Sequence, residues 1–374
     1  MKAMFILRSL AIFAGVERVM SGKINYLASQ GHDICLVTYE QCSHPIVYPL
    51  EQSVRHVDLD CRFFTLFRYP MYIRVLKFCA MKRLFRERLG NEIAQFQPDV
   101  VVFPTNANDF LQEMVTIYPS VPRIVESHGT FNKLIKKTSL KERIVGLLRM
   151  KYVKKCSLLV TLTNSDAKCW MKHLPNVKVI PNPITTYCVE LNAMTKKEMR
   201  IISVGRLDKL KRFDRLLVAF SLIARKYPTW HLDIFGEGDE RVSLELLVKS
   251  LKLDYLVTIH TPSNHIMDEY MRSQFLVMSS DSEGFGMVLI EAMSCGIPVV
   301  STNCEFGPSE IVDDGITGLL AECNARDLAN KMDWMMSHDN ERREMGRKAH
   351  SAMAKYRKEI VMKQWEEAYL SVIR

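Results

Sequence analysis

Short apolar runs recur along the chain, each separated from the next by enough residues for at least one helix. They fall at residues 5–7, 34–38, 100–103 and 158–162, then at 201–204, 232–235, 257–259, 275–278 and 298–301. A strand of a parallel sheet is covered by helices on both faces, so it reads as a short, nearly continuous apolar run rather than an alternating one. The repetition therefore predicts an α/β chain built on stacked parallel sheets. A break falls at Val179-Ile180-Pro181-Asn182-Pro183-Ile184, where two prolines bracket an asparagine and residues 185–199 show no period. Read as an interdomain hinge, it divides the chain into one α/β domain over 1–183 and a second over 184–357. A chain of 374 residues has room for both. Helical periodicity returns at the end, in 356–374, with Trp365 and Tyr369.

Composition narrows the class. With 48% hydrophobic and 25% charged residues the chain is ordinary globular protein, not disordered, collagenous or coiled coil. Arg8 interrupts the first apolar run and no clean cleavage site follows, so that run is expected to be a strand and not a leader. No stretch approaches the roughly 18–20 apolar residues of a spanning helix. The ten cysteines include no CxxC pair, so reduced, buried thiols in a cytoplasmic protein are expected, without a zinc site. The net charge of +9 is unevenly spread. Residues 1–185 hold 26 basic and 14 acidic side chains, and residues 186–374 hold 25 and 28. A basic first half is expected to face something anionic.

The second half carries the more specific chemistry. In Asp281-Ser282-Glu283-Gly284-Phe285-Gly286-Met287 a strand feeds a glycine-bracketed turn, and a helix is expected to begin near Gly286. The helix is apolar on nearly every face except at Glu291. A buried carboxylate is costly unless a hydrogen-bonding partner meets it, and the paired hydroxyls of a ribose would do so. The free N–H groups of the first turn suit a phosphate or sugar oxygen. Glu283 at the helix mouth is also explained by the helix dipole alone. A second constellation, Gly205-Arg206-Leu207-Asp208-Lys209-Leu210-Lys211-Arg212, follows the strand at 201–204 and places four cations in seven residues. Such a loop can surround a diphosphate.

These segments together resemble the retaining family 4 glycosyltransferases of the GT-B fold. The resemblance rests on Val204-Gly205-Arg206-Leu207 with Lys211, on Glu283-Gly284-Phe285-Gly286 through Glu291-Ala292-Met293, on Gly296-Ile297-Pro298, and on Gly307-Pro308-Ser309-Glu310. Weaker matches in the first half are Ala14-Gly15-Val16-Glu17-Arg18 and His128-Gly129. The resemblance implies two Rossmann-like domains facing across a cleft, with the C-terminal helix, about 358–374, returning to the first. It implies that Arg206 and Lys211 neutralise the donor diphosphate and that Glu291 holds the ribose. Glu283 would hold the transferred sugar, with Gly284, Phe285, Gly286 and Met287 lining the donor through their backbone. Gly15 would let the N-terminal loop approach the phosphates, and His128 would lie over the reacting sugar. Two departures stand out: Ala14 replaces the first glycine of the N-terminal pair, and Arg212 replaces the glycine after the loop lysine, adding a cation beside the diphosphate.

The implied activity is retaining transfer of a hexose or N-acetylhexosamine from a nucleotide diphosphate sugar, with UDP expected. The implied acceptor is a glycan or polyprenyl-diphosphate-linked oligosaccharide of surface polysaccharide synthesis. No cofactor or metal is expected. A GT-B nucleotide-sugar isomerase or epimerase is the alternative, and a nicotinamide oxidoreductase a remoter one. Phe235-Gly236-Glu237-Gly238 lacks the third glycine of a dinucleotide fingerprint and reads better as a turn lining the base pocket. Asp58-Leu59-Asp60 has a metal-binding spacing but reads as a surface turn. Residues 62–88 and 133–151 interleave cations with aromatics and aliphatics, which suits a peripheral contact with an anionic bilayer on the cytoplasmic face. Nucleic acid is not expected, since no recognised motif or stacking platform accompanies the charge.

Overall fold

A computed structural model describes residues 1–12, 15–105, 110–135, 140–184 and 197–373, without the side chains of 133 and 140–142. Ala14, Cys188, Lys136, Lys137 and most of the segment 185–199 lie outside the described residues. Two compact units form, one from Met1–Pro181 with Val361–Arg374, the other from Asn182–Ile360. The sequence reading cut the chain two residues later at the hinge and three earlier at the final helix.

The first unit holds strands β1 (Lys2–Leu7), β2 (Asp33–Thr38), β3 (Arg55–Asp58), β4 (Val100–Pro104), β5 (Arg123–Ser127), β6 (Leu158–Thr161) and β7 (Val177–Val179). They make one parallel sheet in the order β3-β2-β1-β4-β5-β6-β7. The second unit holds β8 (Arg200–Val204), β9 (His231–Phe235), β10 (Val257–His260), β11 (Phe275–Met278), β12 (Val299–Thr302) and β13 (Gly318–Ala321), ordered β10-β9-β8-β11-β12-β13 and again parallel. Each sheet changes direction of winding beside its first strand, between β1 and β4 and between β8 and β11. At such a switch point the loops leaving adjacent strands diverge and open a crevice.

Successive strand residues point to opposite faces, and the burial follows that rule. Ala3, Phe5, Leu7, Ile34 and Leu36 enter one apolar core, and Met4, Ile6, Cys35 and Val37 enter another across the sheet. The C-terminal helix Lys358–Ile373 seals the first of these with Val361, Trp365 and Tyr369, the last meeting Phe5 edge-on at 6.5 Å. Replacing fully buried Trp365 by alanine would cost about 3–5 kcal/mol.

The apolar runs missed β3, β5, β7 and β13. β3 and β7 are edge strands of intermediate burial, with no buried face to read, and β13 closes an edge of the second sheet. β5 is buried throughout, but Arg123, Glu126 and Ser127 leave only Ile124 and Val125 as its apolar residues. Asp58 is accordingly the end of an edge strand and not a surface turn. Its carboxylate accepts from Thr38 Oγ1 at 2.9 Å and from the backbone N–H groups of Gln41 and Cys42 at 3.1 and 2.9 Å. Asp60 lies across from it, paired with Arg62 at 2.5 Å. Cys42, Asp58 and Asp60 are the one group among the described residues close enough to share a metal, but Asp58 and Asp60 already have these partners. The thiols are not uniformly buried: Cys79 and Cys323 are exposed.

The basic segments divide internally. The helix Met71–Phe96 buries Phe85, Leu89, Ile93 and Phe96 in its second half. Its first turns expose Met71, Tyr72, Val75 and Leu76, and Phe67 just before it is 77% exposed. The helix Leu140–Val153 likewise exposes Ile144, Leu147 and Leu148. No helix among the described residues is long and apolar enough to cross a membrane.

Candidate active site

In the second unit the switch point brings the loops after β8 and β11 into contact. Asp281 N–H donates to the Leu210 carbonyl and Ser279 Oγ to the Lys211 carbonyl, both at 2.9 Å. Asp208 shapes the first loop by accepting the N–H groups of Leu210 and Lys211 at 3.0 and 3.2 Å. This stitching delivers Lys211 Nζ to Glu283 Oε1 at 2.6 Å, and Ser280 Oγ donates to the same oxygen at 2.6 Å. Glu283 is buried while the Lys211 side chain stays partly open. Its place is therefore fixed by an ion pair between two loops, a stronger tie than a helix dipole provides.

Gly286 caps the helix Met287–Ser294 with φ 107°, a conformation a side chain would strain. The amides of Met287 and its neighbours belong to a helix start, where N–H groups have no carbonyl one turn back. Phe285 turns its ring inward against Tyr356, centroids 5.6 Å apart, so only its backbone is offered to a ligand. Glu291 is buried, and Tyr270 Oη donates to its Oε2 at 3.3 Å. The fold thus supplies a partner of its own, and burial alone does not require a ribose there. Sequence reading missed Tyr270, because nothing in the pattern of its helix, Ile266–Arg272, ties it to a carboxylate 21 residues on.

Two cations are placed differently from the expectation. The Arg206 side chain is 71% exposed and its Nε donates to Asp208 at 2.7 Å, so it is not gathered with Lys211 and Glu283. The Arg212 guanidinium is engaged by Asp214 and Asp281, each at 2.9 Å, rather than free beside them. Its backbone lies at φ 51°, ψ 45°, the left-handed region that favours the glycine it replaces. The glycines of 235–238 have a packing role: a Cβ on Gly236 would lie 2.0 Å from the Gly205 carbonyl oxygen and one on Gly238 2.3 Å from that of Leu207. That turn braces the loop carrying Arg206 and Lys211.

In the first unit His128 follows β5. Its side chain is only 3% exposed, and Nε2 lies 3.1 Å from Glu126 Oε2. The same oxygen accepts from Lys23 Nζ at 2.6 Å, and Lys23 comes from the helix Gly15–Ser29. Burial pushes the Lys23 ammonium down to about 8, against the opposing pull of Glu126. Burial would raise Glu126, but Lys23 and His128 outweigh it and hold the carboxyl below its ordinary value. Glu17, in the first turn of the same helix and within electrostatic range of His128, is raised by burial. Gly15 begins that helix, and a Cβ there would meet nothing within 4 Å among the described residues. Neither Lys23 nor Glu126 was singled out from the sequence; a lysine on an amphipathic helix ordinarily signals solvent.

Comparison with known proteins bears on this arrangement. The family model described as Glycosyltransferase Family 4 matches residues 13–187, and that described as Glycosyl transferases group 1 matches 191–352. The amylovoran biosynthesis glycosyltransferase AmsD of Erwinia amylovora is 25% identical, over 98% of this chain and 99% of its own. The N-acetylgalactosamine-N,N'-diacetylbacillosaminyl-diphospho-undecaprenol 4-alpha-N-acetylgalactosaminyltransferase of Campylobacter jejuni is 26% identical, over 88% of this chain and 84% of its own. The crystal structure of a TarM variant of S. aureus, holding UDP and alpha-GlcNAc-glycerol, superposes with a TM-score of 0.80 at 13% identity, covering 98% of this chain and 99% of that one. The shared architecture is the GT-B fold.

Proposed function

Since the chain belongs to the family 4 glycosyltransferases, we propose that it moves a hexose or N-acetylhexosamine from a UDP-sugar to a glycan or lipid-linked oligosaccharide with retention of configuration. The observation that carries this reading is the Lys211–Glu283 pair at the carboxyl ends of β8 and β11, beside the helix start at Met287. Lys211, with Arg206 swung from Asp208, meets the diphosphate and the charge that grows on it as the sugar departs. Glu283 accepts a hydroxyl of the transferred sugar, the backbone of Gly284 to Met287 lines the donor, Glu291 takes the ribose hydroxyls, and Gly15 lets its loop approach the phosphates. His128 holds the reacting sugar. In the proposed step the bond from the anomeric carbon to the phosphate oxygen breaks and the acceptor oxygen bonds to the same face. The acceptor's proton passes to the departing phosphate. The reaction as proposed uses no metal and no cofactor.

Relatives named for amylovoran synthesis and for a diphospho-undecaprenol acceptor support a place in polysaccharide assembly. The exposed Phe67, Met71, Tyr72 and Leu76, set among the exposed Arg68, Lys77 and Arg83, support a peripheral contact with the anionic cytoplasmic face of a membrane. A thermal-shift panel of UDP-, GDP- and ADP-sugars tests the donor. A UDP-sugar at a hundred times its Kd should stabilise by about 2.7 kcal/mol, and Glu291→Ala should lose most of that shift. Purified protein that transfers or hydrolyses no nucleotide sugar, or a Glu291→Ala variant with unchanged donor binding, would overturn the reading.

A further inference from the structure

A buried chain of charge runs behind His128 and is not used by the reaction as described. Glu126 Oε2 accepts from Lys23 Nζ at 2.6 Å and lies 3.1 Å from His128 Nε2, with Lys23, Glu126 and the ring each 3% exposed or less. Lys23 Nζ lies 3.3 Å from the centre of the Trp365 ring, and Tyr369 follows one turn later on the same C-terminal helix. The second carboxylate oxygen, Glu126 Oε1, and the buried Tyr369 hydroxyl have no hydrogen-bond partner among the described residues. All the geometry therefore converges on one oxygen.

We propose that Lys23 and Glu126 are positioning residues that fix His128 as its Nε2–H tautomer, leaving Nδ1 as a hydrogen-bond acceptor for a hydroxyl of the transferred sugar. The inference rests on the reading of His128 as the residue that holds that sugar. An ionised carboxylate accepts hydrogen bonds and has no proton to give. Glu126 stays ionised because Lys23 compensates its charge, an effect already visible in its lowered pKa. The hydrogen between Glu126 and the ring therefore belongs to Nε2, and the neutral ring keeps its lone pair on Nδ1. Without the ammonium, burial would drive Glu126 to its acid form, which would donate to Nε2 and transfer the ring hydrogen to Nδ1. The ring would then offer a donor where the sugar hydroxyl needs an acceptor. The groups around it include Lys23 and Glu17 from the first helix, Glu126 from β5 and Tyr369 from the last helix. The C-terminal helix is thus part of the device, since Trp365 forms the apolar wall that keeps Lys23 on Glu126.

The test is the ring 15N spectrum of His128 in the full chain, at about pH 7.5 where an ordinary histidine is neutral. The wild-type protein should show the Nε2–H form. Lys23→Met, which keeps the packing on Trp365, should show the Nδ1–H form, with kcat reduced at least about tenfold and donor KM within about threefold, as expected when an orienting partner sets the wrong tautomer. A wild-type Nδ1–H form, or a Lys23→Met protein that keeps the Nε2–H form and full kcat, would overturn the proposal. If Lys23→Met does not fold, the double variant Lys23→Met/Glu126→Gln removes both buried charges at equal volume. It leaves an amide that can accept from or donate to Nε2, so the deciding variant is then Lys23→Arg, which keeps the cation and should keep the Nε2–H form; an Nδ1–H form there would equally overturn the proposal. His128→Ala separates the two readings: unchanged transfer would remove His128 from the sugar while leaving the tautomer result to stand or fall by itself.

Discussion

The two units hold their functional charges in opposite ways. In the first, Lys23, Glu126 and His128 are sealed from solvent and joined to one another. In the second, Arg206 is 71% exposed, and the Lys211 side chain retains 24% of its surface. The difference suits the roles proposed for each. A cation that meets an incoming diphosphate has to exchange one anionic partner for another, and near water that exchange is cheap because the interaction with Asp208 is screened. A ring that fixes a reacting sugar must not reorient, and burial makes any other arrangement costly. On the proposed roles, open charge serves capture and closed charge serves geometry.

Lys211→Met gives the largest expected effect on the open side. It removes the cation proposed for the leaving group and leaves Glu283 with Ser280 as its remaining hydrogen-bonded neighbour. Transfer should fall by about 10²–10³ in kcat/KM. Because Lys211 is partly exposed, the stability loss should be only about 1–3 kcal/mol, below that of breaking a fully buried pair. Calorimetry and initial rates on the same preparation measure both. A variant that lost stability but kept its rate would make the pair structural and dissolve the contrast. Arg206→Ala comes next: donor Kd should weaken about tenfold, the worth of one charge-assisted hydrogen bond, with unfolding free energy changed by less than about 0.5 kcal/mol. Titration calorimetry with a UDP-sugar checks it. Unchanged affinity would leave Arg206 as no more than the surface partner of Asp208.

The contrast also marks what could be read in the sequence. The nine apolar runs identify strands in both sheets because burial leaves a local signature, whereas the edge strands β3 and β7 leave none and the buried β5 hides its own behind Arg123, Glu126 and Ser127. The candidate residues of the open site stand out for a similar reason. Its residues are contiguous, Gly205 to Arg212 and Glu283 to Glu291, so their spacing carries information. What the sequence hid were partners at long range: Tyr270 on Glu291, and Lys23 on Glu126 across 103 positions. A buried lysine is chosen by the sheet that folds over it, and its helix reads like any other amphipathic one. The sequence also overstated free charge, since counting Arg206, Lys211 and Arg212 as cations beside a diphosphate ignored Asp208, Glu283, Asp214 and Asp281, which already hold them.

Arg212→Gly isolates the smallest of these effects, and two terms of opposite sign set it. At φ 51° the arginine occupies a backbone conformation that costs a side-chain-bearing residue about 1–2 kcal/mol, and glycine would remove that strain. The guanidinium, one third exposed, bridges Asp214 and Asp281, which are themselves 50% and 40% exposed, and such pairs contribute about 0.2–1 kcal/mol each. Glycine also frees the unfolded chain, which lowers stability by a few tenths up to about 1 kcal/mol. The terms nearly cancel, so the variant should unfold within about 1 kcal/mol of the parent in urea. A loss above about 2 kcal/mol would mean that the Arg212 bridge holds the two loops together, and the open site would then be as firmly fixed as the closed one. A change in donor Kd without a change in stability would instead return Arg212 to the diphosphate, as a cation released from Asp281 on binding, the same exchange expected of Arg206.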